Sequence, residues 1–273
     1  MKADQLAINS VSMRPSDLES ILPACEAAGF THIEFTLKHI YDYLDAGHTL
    51  QDVAALLKQH QLHCIGGFET AIACFADAEE RERSHARILA NCQLLGELGG
   101  TALVLGTDGP EGDCDDPVGD IAAAFGELGE RVRPTGVKLC LEFNWSPIVK
   151  SVRTAVDVAR RSGSDSVGVL FDPAHYHCTP SKLEMLNADS VPFIAHVHVD
   201  DMQDKPGELC HCNSDRALPG EGCLDLPQIF GRLEEHGYDG YFSIEMFDAE
   251  LCAMPPAEAA QRMYDSLQYL CAG

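Results

Sequence analysis

The sequence predicts an α/β protein built as one (β/α)₈ TIM barrel over residues 1–273, and three observations carry that prediction. Eight short apolar runs alternate with longer stretches whose apolar residues recur at helical spacing. Glycines recur just ahead of several runs, in AAGFTHIEF, ELGGTALVL, RPTGVKLCLEF and EHGYDGYFSIEMF. Each ends a helix before the chain re-enters the sheet. Four of the last runs finish in Glu, Asp, His and Glu, at the carboxyl ends where such barrels build their sites.

Taken in order, the first strand is expected over Leu6–Val11. Ser16-Asp-Leu-Glu19 resembles a capping box for the helix that follows, whose apolar positions Leu18, Ile21, Leu22 and Cys25 precede a stop at Gly29. The second strand spans His32–Phe35. Thr49 opens a helix through LQDVAALLKQH, ahead of a third strand at His63–Phe68. A long helix from Glu79 to Leu98 leads to strand four, Ala102–Leu105. The remaining strands are Lys138–Phe143, Val167–Phe171, Phe193–Val199 and Tyr241–Met246. No Pro/Gly/Ser-rich linker divides these units, which favours a closed barrel over an open sheet. No GxGxxG follows the first strand, which counts against an open dinucleotide-binding sheet.

Charge and composition narrow the function. With 19 basic and 43 acidic residues the formal charge is -24, a field that repels phosphate backbones and anionic lipid. Neither nucleic acid nor a membrane is therefore an expected partner. The opening MKADQLAINS lacks an apolar signal core, and no apolar stretch approaches the ~20 residues that span a bilayer, so a cytoplasmic protein is expected. Twelve cysteines then read as reduced thiols without structural disulfides.

The chemistry is expected at the strand ends. In KLCLEFNW, alternation puts Lys138, Cys140 and Glu142 on one face, with Glu142 uppermost. VGVLFDPAHYH finishes in Asp172, FIAHVHVDD aligns His196 with His198, and YFSIEMF carries Glu245 near its end. Three carboxylates brought together repel one another unless a cation joins them, and no second cation of comparable charge is evident in these strand segments. Glu142, Asp172, His198 and Glu245 are therefore expected to hold one divalent metal. Three oxygens and one imidazole form a fairly hard set that suits Mn²⁺ first and also accepts Mg²⁺, Co²⁺ or Zn²⁺.

Around the metal, His175 is placed to hydrogen-bond a substrate oxygen, while His196, one layer deeper, supports the site from the core. Glu34, ending the second strand, is read as a substrate contact with a helix cap as its alternative. Asp108 is expected to cap a helix, and Glu69 adds to an acidic mouth. The long segment DDMQDKPGELCHCNSDRALPGEG reads as a functional loop or lid whose Arg216 clamps a substrate oxygen. Cys210-His211-Cys212 within it lacks CxxC spacing and reads as exposed thiols. Asp200 and Asp201 orient His198 or cap the loop.

These residues resemble the xylose-isomerase-like barrel superfamily of sugar phosphate isomerases and epimerases, over essentially the whole chain. The stretches that carry the resemblance are LEFNW with Glu142, FDPAH with Asp172 and His175, HVHVDD with His198, SDRALPGEG with Arg216 and SIEMF with Glu245. Within it the pattern is most similar to keto-inositol (inosose) isomerases, although Thr36 stands where that pattern carries Arg. The resemblance implies that Glu142, Asp172, His198 and Glu245 ligate the metal and that Glu142 and Glu245 also move protons on a small polyol or ketose. It implies isomerisation through an enediolate, with ketose epimerisation or an inosose or dehydroshikimate-type dehydration as alternatives on the same metal site. A homodimer is expected by analogy. A three-zinc nuclease needs further histidines that this chain lacks, and a non-catalytic scaffold leaves the ligand quartet without a purpose.

Overall fold

Eight parallel strands close into a barrel in the computed structural model, which describes residues 1–68 and 71–271. They are β1 (Leu6–Asn9), β2 (His32–Thr36), β3 (His63–Phe68), β4 (Ala102–Leu105), β5 (Lys138–Glu142), β6 (Val167–Phe171), β7 (Ile194–Val199) and β10 (Phe242–Ile244). Around the ring the order is β1-β10-β7-β6-β5-β4-β3-β2, so each strand lies beside its sequence neighbours and the last closes on the first. Between β7 and β10 the chain adds a two-stranded antiparallel hairpin of β8 (Asp201–Met202) and β9 (Arg216–Ala217).

All eight expected strands are present, with ends that move by one or two residues where a local cap intervenes. β1 stops at Asn9 because that side chain accepts from the Val11 N–H and turns the chain into a short 3₁₀ helix, Ser10–Met13. The first α-helix, Leu18–Ala28, begins one residue later than a capping box at Ser16 requires. Asp17 is its cap, its Oδ1 accepting from Ser20 N at 2.9 Å. Gly29 ends that helix with φ 107°, a left-handed conformation that favours glycine. Thr49 and Asp52 cap each other reciprocally ahead of Leu50–Gln59, and Ala78–Glu97 forms the long helix.

Alternation along the strands divides the apolar residues into two populations. One large cluster, including Leu103, Leu105, Phe125, Val169, Phe171 and Ile244, fills the shell between sheet and helices. A small one inside the barrel consists of Ala102, Val104, Cys140 and Leu170, with Phe68 and Ala195 packed against it. Above it sit polar residues that are 0–6% exposed: Asn9, Glu34, Glu142, Asp172, His196, His198, Ser243 and Glu245. The register slips between Val169 and Leu170, so that Ala195 is skipped and His196 lies opposite Leu170. All twelve cysteines are free thiols. No helix among the described residues is long and apolar enough to cross a membrane.

Candidate active site

Strands β5, β6, β7 and β10 are consecutive around the barrel, and their carboxyl ends bring Glu142, Asp172, His198 and Glu245 together. His198 is the hub. Its Nδ1 lies 3.2 Å from Glu245 Oε2 and 3.5 Å from Asp172 Oδ2. Ligand atoms of Glu142, Asp172 and His198 all fall within 4.8 Å of one another. The opposite ring nitrogen, Nε2, is held by Glu34 at 3.1 and 3.2 Å. Nδ1 therefore faces the carboxylates, buried and without a hydrogen-bond partner. An imidazole nitrogen and several carboxylate oxygens buried around one point form a donor set that a divalent cation satisfies, so the residues fit a metal.

The structure corrects one step of the charge argument. A second cation is present: Arg216, the one buried Arg or Lys among the described residues, reaches into the cluster from β9. Its Nη1 lies 2.7 Å from Asp200 Oδ2 and 3.0 Å from Glu245 Oε2, and its Nη2 lies 2.9 Å from Asp172 Oδ2. Nε donates to the Cys212 carbonyl and Nη1 also to the Glu245 carbonyl. One guanidinium does not offset Glu34, Glu142, Asp172, Asp200 and Glu245 together. The metal-free cluster instead gathers protons. Burial, with the charges of Asp172 and Glu245, pushes the Asp200 carboxyl well up despite Arg216. Burial opposes charge on His198, yet Glu245 and Glu34 raise it well above an ordinary imidazole. His175 is raised in the same way by Asp172 and Glu142. Burial also opposes the Asp172 anion, but Arg216 and His175 hold that carboxyl well below its usual range.

A cavity of about 370 Å³ opens above the cluster, lined by Glu142, His175, His198, Arg216 and Glu245. His175 Nε2 lies 3.0 Å from Glu142 Oε1, and Asn144, at φ 74°, approaches its Nδ1. Thr36, Phe68, Val104, Trp145 and Phe247 complete much of the wall. Trp145, Phe247 and Asn144 went unread in the sequence because aromatic and amide residues near strand ends have too many other uses. Asn9 also escaped notice: its Nδ2 donates to Glu245 Oε1 at 3.1 Å. Its place at the end of β1 was the available signal.

Glu34, expected at the substrate, does not line the cavity. It is fully buried beneath the cavity, where Oε2 lies 3.1 Å from His198 Nε2 and 3.0 Å from His196 Nε2. The inward face of β2 points at β7 across the barrel, so the carboxylate meets the histidines before it reaches the mouth. Burial would raise its carboxyl, but the charges and hydrogen bonds of His196 and His198 hold it well below the usual range. Asp108 caps no helix; Asp116 caps Pro117–Val132. Asp108 instead accepts from Cys74 N at 2.7 Å and from Phe75 N, tying the loop after β3 to that after β4. Glu69 lies outside the described residues.

In the loop after β7, Asp201 accepts from the backbone N–H groups of Met202, Gly220, Gly222 and Leu224. It holds the loop, while Asp200 pairs with Arg216. Cys210 and Cys212 are partly buried rather than exposed, and Cys212 lines the cavity because its carbonyl is anchored to Arg216. His211 Nδ1 accepts from Asn213 N and Ser214 N, which makes it a turn residue.

Two consequences are measurable. Glu34→Gln removes the charge that orients His198, and Mn²⁺ affinity is expected to fall about 10–100-fold; an unchanged Kd in a metal titration refutes this role for Glu34. Metal binding through Nδ1 requires neutral His198, whose folded pKa is raised. Affinity is therefore expected to fall as pH drops below that pKa and to rise as pH climbs through it. Calorimetry in buffers of different ionisation enthalpy reads the proton released, and no release contradicts the assignment.

Residues 22–270 match the family described as the xylose isomerase-like TIM barrel. The chain belongs to that family. An inosose isomerase of Bacillus velezensis is 28% identical over 250 residues, covering 88% of this chain and 87% of the relative. One of Halalkalibacterium halodurans is 34% identical over 143 residues, about half of each chain. Among solved family structures, the IOLI protein with a bound zinc atom superposes with a TM-score of 0.86 at 25% identity, covering 98% of both chains. A D-psicose 3-epimerase from Clostridium cellulolyticum shares the fold, with a TM-score of 0.79 at 17% identity over 98% of this chain and 99% of the epimerase.

Proposed function

We propose that this family member is a divalent-metal-dependent isomerase of a small polyhydroxy ketone, a keto-inositol (inosose), with Mn²⁺ as the metal. The observation that carries the reading is the orphaned His198 Nδ1 among Asp172, Glu142 and Glu245 on the floor of a cavity. The inosose isomerases that align with most of the chain support the choice of substrate. Glu142, Asp172, His198 and Glu245 would hold the metal. A bound divalent ion supplies Lewis acidity to a ketone with its neighbouring hydroxyl and offsets the charge of an enediolate.

The chain's own residues move the protons. Glu245, positioned by Asn9 and Arg216, takes the proton from the carbinol carbon beside the ketone. A proton returned to the former carbonyl carbon, with the hydroxyl proton passing between the two oxygens, shifts the ketone by one carbon without gain or loss of atoms. Glu142 enters from β5, three strands round the ring, and serves the neighbouring carbon. His175, with Nε2 toward Glu142 and Nδ1 toward Asn144, fixes the Glu142 carboxylate, and the remaining Nη2 hydrogen of Arg216 is directed to a substrate oxygen.

A second reading is dehydration. An inosose dehydratase of Serratia proteamaculans is 25% identical over 140 residues, 46% of each chain, and dehydration begins with proton removal beside a ketone. Epimerisation differs only in returning the proton to the opposite face of the same carbon. Chelated protein restored with Mn²⁺ and incubated with a panel of inososes and ketoses in D₂O separates these outcomes by NMR. Deuterium entry with a shifted carbonyl is expected. Water loss or inversion at one carbon selects the alternative reactions, and no exchange in any ketone sinks enolisation.

A further inference from the structure

The cavity wall contains an aromatic ring whose placement the metal site does not require. Trp145 follows β5 three residues after Glu142, and the backbone between them turns through Asn144 in the left-handed region, φ 74°. A non-glycine residue there is uncommon and marks a turn that the surroundings impose. Gly106 lets the chain at Trp145 approach closely: a Cβ at that position would lie 2.3 Å from the Trp145 carbonyl oxygen and 3.0 Å from Cδ2 of the indole. Phe68 braces it edge-on, with centroids 6.4 Å apart and planes at 67°.

Trp145 is 38% exposed and lines the cavity that Glu142, His198 and Glu245 also line. Phe247, on the same wall, is already engaged by guanidinium groups, Arg216 at 4.9 Å and Arg14 at 5.1 Å from its centroid. Trp145, with Phe68 against it, thus leaves an aromatic surface on this wall that no cation occupies. An apolar π face suits a flat array of C–H bonds, which a six-membered carbocycle presents along its axial direction. An open-chain polyol has no such array until it gives up its torsional freedom.

We propose that Trp145 determines ring specificity: its indole stacks on the C–H face of a carbocyclic polyol ketone while the carbonyl edge lies at Glu142, His198 and Glu245. The proposal rests on the isomerase reading for the carbonyl. A carbocycle keeps both a closed ring and a free ketone, whereas a free ketose that closes its ring spends its carbonyl as a hemiketal. Open-chain ketoses of similar formula lose the stacking contribution.

Trp145 is the single Trp in the sequence, so intrinsic fluorescence reports this wall and no other. The Mn²⁺-loaded protein is titrated with myo-inositol, a ring that lacks a ketone, and with D-sorbitol, an open chain with as many hydroxyls. A saturable emission change with myo-inositol, at a Kd at least about tenfold below that of sorbitol, is expected. Equal responses, or no response to either, overturn the proposal. In deuterium exchange, Trp145→Ala is expected to raise KM for an inosose about tenfold with kcat within about threefold, and Trp145→Phe to restore most of the loss. Loss of kcat with KM unchanged, or failure of Phe to rescue, also overturns it. If no inosose exchanges but emission still separates ring from chain, the isomerase reading fails and ring selection stands.

Discussion

Glu245→Gln is expected to slow metal-dependent deuterium exchange into an inosose by about 10²–10⁴-fold, the range general-base removal commonly costs. The substitution nearly preserves shape, but the amide has one acceptor oxygen where the carboxylate has two, so it keeps the bond from Asn9 Nδ2 or the one from Arg216 Nη1 and loses the other. What disappears is the basic oxygen. Oε2 also lies 3.2 Å from His198 Nδ1, so metal affinity falls as well, and the rate must be read at saturating Mn²⁺. Glu142→Gln should behave similarly, and the double variant should lose less than the two single losses multiplied, because both act on one proton transfer. Undiminished exchange at saturating metal rules Glu245 out as the base.

The largest effect on stability is expected from Arg216→Met. Its guanidinium is fully buried and lies within 3.0 Å of carboxylate oxygens of Asp172, Asp200 and Glu245. Burial disfavours the charged form, but those three acids hold Arg216 firmly protonated. Removing one partner of a buried ionic group leaves the others uncompensated, at a cost of about 3–5 kcal/mol. For a chain of this size that is a fall in Tm of roughly 10 °C. Mn²⁺ should then stabilise the variant more than the parent, since a divalent ion replaces the missing positive charge. Thermal unfolding with and without metal measures both, and an unchanged Tm would show that Arg216 serves substrate alone.

The meeting of Glu142, Asp172, His198 and Glu245 was legible because two simple rules coincide. Alternation along a strand puts Glu142, His198 and Glu245 on the inward face, and a barrel of parallel strands places all its carboxyl ends on one rim. Strands five to eight are neighbours in sequence and in space, so local pattern sufficed. Strand cores were legible for the same reason, while their ends were set by side-chain caps such as Asn9 and Asp17. Asp108 shows the limit: a carboxylate after a strand satisfies backbone N–H groups, but whether they belong to a helix or to the loop at Cys74 depends on a neighbouring unit.

By itself the sequence determined the barrel, its eight strands and the four side chains that meet at its carboxyl rim, because periodicity and strand order act over short stretches of chain. Tertiary structure alone decided the rest. It put Glu34 under His198 from across the barrel, brought Arg216 out of an aperiodic loop into the midst of the carboxylates, and turned Trp145 into the cavity beside Gly106. Each of those placements joins residues between 39 and 164 positions apart in the chain, or else depends on a backbone turn that its neighbours impose. Charge compensation and close packing are properties of the assembled interior, and no local spacing encodes them.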